Sequence, residues 1–101
     1  CTVTGVVVDV ASSSAPLRSA TGAVFASWQR AIATVLQASG FDAEHSANLA
    51  ALTLSAVEGA VILARAARTV APLDAVEKEL RTLLATPRRR APTEVDQATL
   101  F

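Results

Sequence analysis

The stretch that most constrains the fold runs from Leu49 to Ala64, where apolar or small side chains occupy nearly every direction around a helical axis. It contains a single charged residue, Glu58, followed directly by Gly59. A helix that is apolar on all sides must be covered on all sides. Because the remainder of a 101-residue chain is too short to cover it completely, this stretch predicts that a second copy of the chain covers part of the helix.

Gly59 points to the same conclusion. A glycine costs a helix about 1 kcal/mol relative to alanine, and close approach of another backbone is the usual reason for keeping one. The alternative is that Gly59 lets another helix of the same chain pack closely. We predict a four-helix interface between two chains, formed by the long helix and the last helix. Its predicted residues are Ala56, Gly59, Ala60, Leu63, Ala64, Ala67, Leu73, Leu80 and Leu84.

The periodicity of the apolar residues predicts three helices. An amphipathic helix runs from Leu17 to Ser39, and Gly40 suits the left-handed position that ends a helix. A second helix spans 43–69 with Asp42 as its N-cap. A third spans 72–86, with a proline at its start and a clean leucine stripe. Helices of this length predict an all-α bundle.

The two ends of the chain are harder to assign. Residues 2–10 are rich in β-branched side chains, so their local propensity favours a strand, although periodicity alone also allows a buried helix. Residues 87–101 contain two prolines and no period, which predicts a solvated tail that includes the three arginines at 88–90. The predicted domain therefore spans 1–86.

Composition excludes several classes of partner. Nine basic and nine acidic residues give no net charge that would attract nucleic acid or a membrane surface. The longest uninterrupted apolar run is far below the roughly 20 residues of a membrane span. The one cysteine, Cys1, cannot form an intrachain disulfide, which fits a reducing cytoplasmic compartment.

The sequence also argues against catalysis and against a bound metal or cofactor. A nucleophilic serine needs a base and an oxyanion site, and the serines at 12–14 have neither in their neighbourhood. His45 has no second histidine or cysteine at ligand spacing. We therefore expect no enzyme activity, no metal and no cofactor.

A small-molecule site in a helical bundle lies between the helices. Phe25 and Trp28 are the largest side chains on the first long helix, and Glu58 is a polar group among apolar neighbours. The alternatives are ordinary core packing for the apolar residues, and an ion pair with Arg30 or Arg65, or a solvated edge, for Glu58. The candidate ligand-binding residues are Val6, Val10, Phe25, Trp28, Leu54, Glu58 and Val61.

Three stretches together resemble a known family. "VEGAVILARAAR" at 57–68, with the "PL" break and leucine-striped helix after it, resembles the C-terminal effector domain of TetR-family transcriptional repressors. "LRSATGAVFASWQRAIATVLQASGF" at 17–41 looks like the preceding long helix of that domain. "CTVTGVVVDVASSS" at 1–14 resembles the opening of the LmrA/YxaF-like branch, although Thr2 stands where proline is common.

The resemblance implies properties that spacing alone does not. Residues 3–11 would be a helix, against their local propensity. The chain would bind a small hydrophobic or aromatic effector and form a homodimer in a bacterial repressor. DNA binding would belong to an N-terminal helix-turn-helix domain, which would precede Cys1 and is absent from this chain. The rival interpretation is a helical dimerisation module without a small-molecule ligand.

Overall fold

The computed structural model describes residues 1–10 and 13–85, with the side chain of Val10 excepted. Four helices follow one another: α1 (Thr2–Val10), α2 (Ala15–Ala38), α3 (Ala43–Ala67) and α4 (Ala71–Leu84). Helix α2 packs against α1 and α3, and α4 packs against α3. The described residues contain no strand, which confirms the all-α prediction. The tail predicted at 87–101 lies outside the described residues.

Helix α1 shows where local propensity fails. Residues 2–10 form a helix, so the strand favoured by their β-branched side chains is wrong and the helix implied by the family resemblance is correct. The intrinsic cost of valine in a helix is only a fraction of a kcal/mol per residue. Packing of α1 on α2 half-buries Val3, Val6 and Val7, and burial of this kind overrides so small a preference.

Helix α2 starts two residues earlier than its periodicity predicts. The Ser14 side chain accepts a 3.3 Å hydrogen bond from the backbone N–H of Leu17 and thereby caps the helix. Pro16 lies in the first turn, where its missing N–H has no helical partner to lose. The proline therefore marks the start of α2 rather than a break before it.

The turn between α2 and α3 is a Schellman motif. Gly40 takes a φ of 105°, and its N–H donates to the Gln37 carbonyl at 3.0 Å. The N–H of Phe41 donates to the Leu36 carbonyl at 3.1 Å. These two bonds satisfy carbonyl groups that the end of a helix leaves free. The predicted left-handed role of Gly40 is confirmed.

The ends of α3 are defined by one predicted and one unpredicted feature. The Asp42 carboxylate accepts a 2.7 Å hydrogen bond from the backbone N–H of His45, which confirms the predicted N-cap. At the other end Arg68 adopts the left-handed conformation, with φ 54° and ψ 43°. Helix α3 therefore ends at Ala67 and not at Thr69 as predicted.

The core lies around the α2–α3 turn. Leu36, Phe41 and Leu49 form a buried cluster, and Ile32 and Leu84 pack against it. Residues of α2, α3 and α4 therefore meet at one end of the bundle. The opposite end of α3 has fewer buried residues, and it carries the surfaces described next.

Candidate functional site

A hydrogen bond links α1 to the middle of α3. Thr4 Oγ1 donates to Glu58 Oε2 at 2.6 Å, and both residues are half-buried. A hydrogen bond to a carboxylate is shorter and stronger than one between neutral groups. The bond therefore fixes the first helix of the chain to the one charged position in the apolar part of α3.

Glu58 has a different partner from those considered in the sequence. Within the described residues its carboxylate is bonded to Thr4 and forms no ion pair with Arg30 or Arg65. One donor leaves most of the acceptor capacity of a carboxylate unused. Thr4 is 54 positions away in the chain, and no local sequence signal identifies it as the partner.

The predicted aromatic pair is present on α2. The rings of Phe25 and Trp28 meet edge to face, with 5.6 Å between their centroids. Such a contact is favourable beyond its buried area. Phe25 is half-buried, whereas Trp28 is 37% exposed. The indole is therefore partly available at the surface of this chain.

The other predicted ligand-binding residues do not share one cavity. Val6 lines a groove of about 450 Å³ between α1 and α3, together with Asp9 and Arg65. Val61 lines a different groove of about 490 Å³ near the α3–α4 turn. Leu54 is half-buried on α3, and the side chain of Val10 lies outside the description. Their roles as ligand contacts stay predictions.

An open apolar groove runs between α3 and α4. Its volume is about 660 Å³. The exposed ion pair between Glu77 and Arg81, at 2.8 Å, lines part of it. The apolar lining comes from Val57, Leu73, Val76, Leu80, Leu84 and Ala85. Three residues predicted for the dimer interface, Leu73, Leu80 and Leu84, are thus accessible and line a common surface.

One face of α3 is uncovered and uncharged. Leu52 is 49% exposed, Ile62 54% and Leu63 60%. Apart from the neighbouring backbone of α3 itself, a Cβ added to Gly59 would meet no atom of residues 1–10 and 13–85 within 4 Å, so no other helix in that part of the chain approaches that glycine closely. The alternative in which Gly59 serves packing within the chain is therefore wrong. We call this surface the α3 face: Leu52, Ser55, Ala56, Gly59, Ile62, Leu63 and Ala66.

The alanines predicted for the dimer interface occupy different environments. Ala56 and Ala64 are half-buried, and Ala67 is exposed. Ala60 is only 2% exposed, so its side chain packs inside this chain and does not present a surface. Which of these residues contact a partner stays a prediction.

Four members of the α3 face are missing from the interface predicted from the sequence, although the sequence contains a signal for them. Leu52, Ser55, Gly59, Ile62 and Ala66 are spaced alternately by three and four residues. This is the heptad spacing of a helix that packs along a partner helix. The sequence prediction followed the alanines instead, and so omitted Leu52, Ser55, Ile62 and Ala66.

Two other kinds of site can be assessed in the described part of the chain. No group of three His, Cys, Asp or Glu side chains there could hold a metal ion. By length and composition alone, α3 could cross a membrane. However, it packs against α2 and α4 and carries Glu58 in a hydrogen bond to α1, as a helix of a globular bundle does.

Comparison with known proteins gives consistent matches. Residues 1–79 match the family model described as "Transcriptional regulator LmrA/YxaF-like, C-terminal domain". Two relatives from two strains of Mycobacterium tuberculosis are each 40% identical over 70 residues. Both are named as uncharacterized HTH-type transcriptional regulators. The matched region covers 69% of this chain but 36% of each relative. No solved structure matches the chain.

Proposed function

Because the chain belongs to the LmrA/YxaF-like family of TetR-type transcriptional regulators, as its C-terminal domain, we propose that it combines two roles. It binds a small, mostly hydrophobic effector, and it forms the homodimer of a transcriptional repressor. DNA binding belongs to a helix-turn-helix domain outside this chain. The relatives support that division of labour, since their names state the helix-turn-helix type.

The observation that carries the dimer proposal is the α3 face. Three large aliphatic side chains, Leu52, Ile62 and Leu63, are each about half exposed on one side of a single helix. Gly59 lies among them with open space above its Cα. Contiguous exposed apolar surface on a soluble protein indicates an interaction site. A second copy of the chain would cover this surface in every molecule, because a two-fold homodimer uses the same patch on both of its subunits.

The effector proposal is supported by the aromatic pair and by Glu58. Phe25 and Trp28 present an edge-to-face surface on α2 that is only partly buried. Glu58 has acceptor capacity beyond its bond to Thr4. An effector that packs against the aromatic pair and contacts α1 and α3 would be held by apolar area and oriented by few polar groups, as small-molecule sites usually are.

The proposed mechanism is a shift between two arrangements of the dimer. An effector can change an equilibrium only by binding its two states with different affinity. Contacts of the effector with α1 and α3 would give the two dimer arrangements different affinities for it, because α3 also carries the proposed dimer surface. Effector binding would then alter the spacing of the two DNA-binding heads, which must match half-sites one helical turn apart. Binding of the effector would weaken binding of the operator, and binding of the operator would weaken binding of the effector by the same coupling free energy.

Thermal unfolding in the presence of small compounds tests effector binding. A panel of neutral aromatic and aliphatic compounds is added to the chain, and unfolding is followed by circular dichroism. A ligand of the folded state at free concentration c stabilises it by RT ln(1 + c/Kd), so the unfolding midpoint rises with the logarithm of the ligand concentration once that exceeds the dissociation constant. Trp28 is the one tryptophan in the chain, so its fluorescence reports the same binding independently.

A matched pair of variants locates the site. Trp28→Ala should abolish the stabilisation by an active compound. Val35→Ala removes a side chain that is 65% exposed on the same helix and should leave the stabilisation intact. If no compound stabilises the wild type, the rival function holds: a helical dimerisation module without a small-molecule ligand. The α3 face favours that rival as much as it favours an effector-bound dimer.

A further inference from the structure

We infer that two copies of α3 cross antiparallel, with the two-fold axis of the dimer passing at Gly59. This inference rests on the proposed homodimer and adds its register. In a two-fold interface the residue on the axis meets its own copy. Gly59 is the one position on the α3 face without a side chain, so it is the position where two helix backbones can come closest.

The side chains on either side of Gly59 match in size when the helices are antiparallel. Positions equally far before and after the axis then become neighbours across the interface. Leu52 lies across from Ala66 of the second copy. Ser55 lies across from Leu63, and Ala56 from Ile62. Every pair combines one large and one small side chain, which keeps the helix axes at an even separation and fills the space between them.

A parallel arrangement lacks this complementarity. Each residue would then meet its own copy along the whole face. Three pairs of large side chains, at Leu52, Ile62 and Leu63, would force the helices apart. Pairs of small residues at Ser55, Gly59 and Ala66 would leave voids between them, and voids in an interface forfeit contact energy. The sequence of the face therefore favours the antiparallel pair.

The charge distribution permits the face to meet itself. In a two-fold dimer, a charged residue near the axis lies close to the same residue of the second chain, and the two like charges repel each other. The α3 face carries no charged residue. The nearest charges on the helix, Glu58 and Arg65, lie about 100° and 120° away from Gly59 around the helix axis at 100° per residue. Glu58 is moreover turned toward Thr4 of α1.

Cysteine cross-linking distinguishes the two directions. The chain has one cysteine, so Cys1→Ser gives a cysteine-free background. Four variants are made in this background: Ser55→Cys, Leu63→Cys, the double variant with both changes, and Gly59→Cys. In the antiparallel pair, position 55 lies about 12 Å from its own copy along the helix, beyond the roughly 7 Å that a disulfide spans between Cα atoms. Position 55 and position 63 of the other copy are adjacent.

The expected result is a shift to twice the monomer mass on non-reducing gels after mild oxidation. It should occur for the variant with cysteines at both 55 and 63 and for Gly59→Cys, and not for either single variant at 55 or 63. The pair Leu52→Cys with Ala66→Cys should cross-link likewise. All four positions other than Gly59 are exposed on this chain, so the substitutions leave the fold intact, which circular dichroism verifies.

Two other results overturn the inference in distinguishable ways. Cross-linking of the single variants at 55 and at 63 would show parallel helices. A dimer in sedimentation with none of these cross-links would place the interface elsewhere; in both cases the proposed dimer survives and its register does not. A monomer in sedimentation under reducing conditions would remove the proposed dimer itself.

Discussion

Thr4 Oγ1 donates a 2.6 Å hydrogen bond to Oε2 of Glu58, a residue 54 positions later in the sequence, and so connects α1 to α3. Glu58 stands near the middle of α3, in a stretch that is otherwise apolar or small. A carboxylate is costly to bury without a donor, and Thr4 supplies one. The bond thus makes the position of α1 dependent on α3, the helix that carries the proposed dimer surface.

Removing the Thr4 hydroxyl should weaken the fold measurably. Thr4→Val keeps the shape of the side chain but takes the donor from Glu58. Hydrogen bonds to charged groups contribute about 1.5–3 kcal/mol when buried, and both residues here are half-buried. We expect the free energy of unfolding, measured by urea denaturation, to fall by about 1–2 kcal/mol.

Two comparisons make this result specific. Thr34→Val removes a hydroxyl that bonds only to the Arg30 carbonyl of its own exposed helix turn, so its effect should stay within about 0.5 kcal/mol. Adding Glu58→Gln to Thr4→Val should cost less than the sum of the two single changes, because the second change acts on a bond already lost. Simple additivity would show that the two side chains do not interact in solution.

Two glycines on α2 and its end should respond to alanine in opposite directions. Gly40 has a φ of 105°, which an alanine adopts only with strain, so Gly40→Ala should lower the free energy of unfolding by about 1–2 kcal/mol. Gly22 lies inside the helix, and a Cβ there meets nothing within 4 Å. Gly22→Ala should therefore stabilise by about 0.5–1 kcal/mol. Thermal unfolding of the two variants checks this prediction. Midpoints that both rise, or both fall, relative to the wild type would contradict it.

Arg68 provides a second test of backbone strain. It is the one non-glycine residue with positive φ in the described part of the chain, at 54°. The left-handed conformation costs an L-residue roughly 1–2 kcal/mol, and glycine avoids that cost at the expense of greater freedom in the unfolded chain. Arg68→Gly should thus stabilise by up to about 1 kcal/mol.

The neighbouring arginine is the control for that change. Arg65 lies within the last turn of α3 in ordinary helical conformation. Arg65→Gly removes the same kind of side chain and the same charge, but it should destabilise by about 0.5–1 kcal/mol because glycine is a poor helix former. A loss of stability in both variants, measured by urea denaturation, would mean that Arg68 is not strained.

Features set by neighbouring residues could be predicted from the sequence. The cap at Asp42 and the glycine turn at Gly40 depend on residues within about five positions of each other, and both are present. Helix α2 begins two residues before its predicted start at Leu17, because the Ser14 cap and Pro16 in the first turn determine where it begins. Local signals thus predict the ends of α2, α3 and α4 to within two residues.

Features set by packing could not be predicted in the same way. Helix α1 forms against its local propensity because α2 covers part of it, and only the family resemblance indicated this. The bond between Thr4 and Glu58 joins distant segments. Ala60 was grouped with the surface alanines, yet the structure buries it. Which side of an all-apolar helix faces its own chain depends on the other helices, and hydrophobicity alone does not tell the sides apart.

The dimer proposal has a direct test at Gly59. Gly59→Leu introduces a large side chain where a Cβ has no contact within 4 Å in the described part of the chain outside its own helix backbone, so the protomer itself should fold at least as well as before. In a dimer that packs at this position, the added volume forces the helices apart, and overpacking costs about 1–3 kcal/mol. At 1.4 kcal/mol per tenfold, we expect the dimer dissociation constant to rise by about 5-fold to 150-fold.

Gly22→Leu is the matched control for this change. Gly22 also lies inside a helix with open space around its Cα, so leucine there brings the same gain in helix propensity and a similar increase in exposed apolar area. Sedimentation over a range of concentrations should show the Gly22→Leu dimer dissociating like the wild type, and Gly59→Leu dissociating at much higher concentration. Equal dissociation constants of the two variants would place the interface away from Gly59.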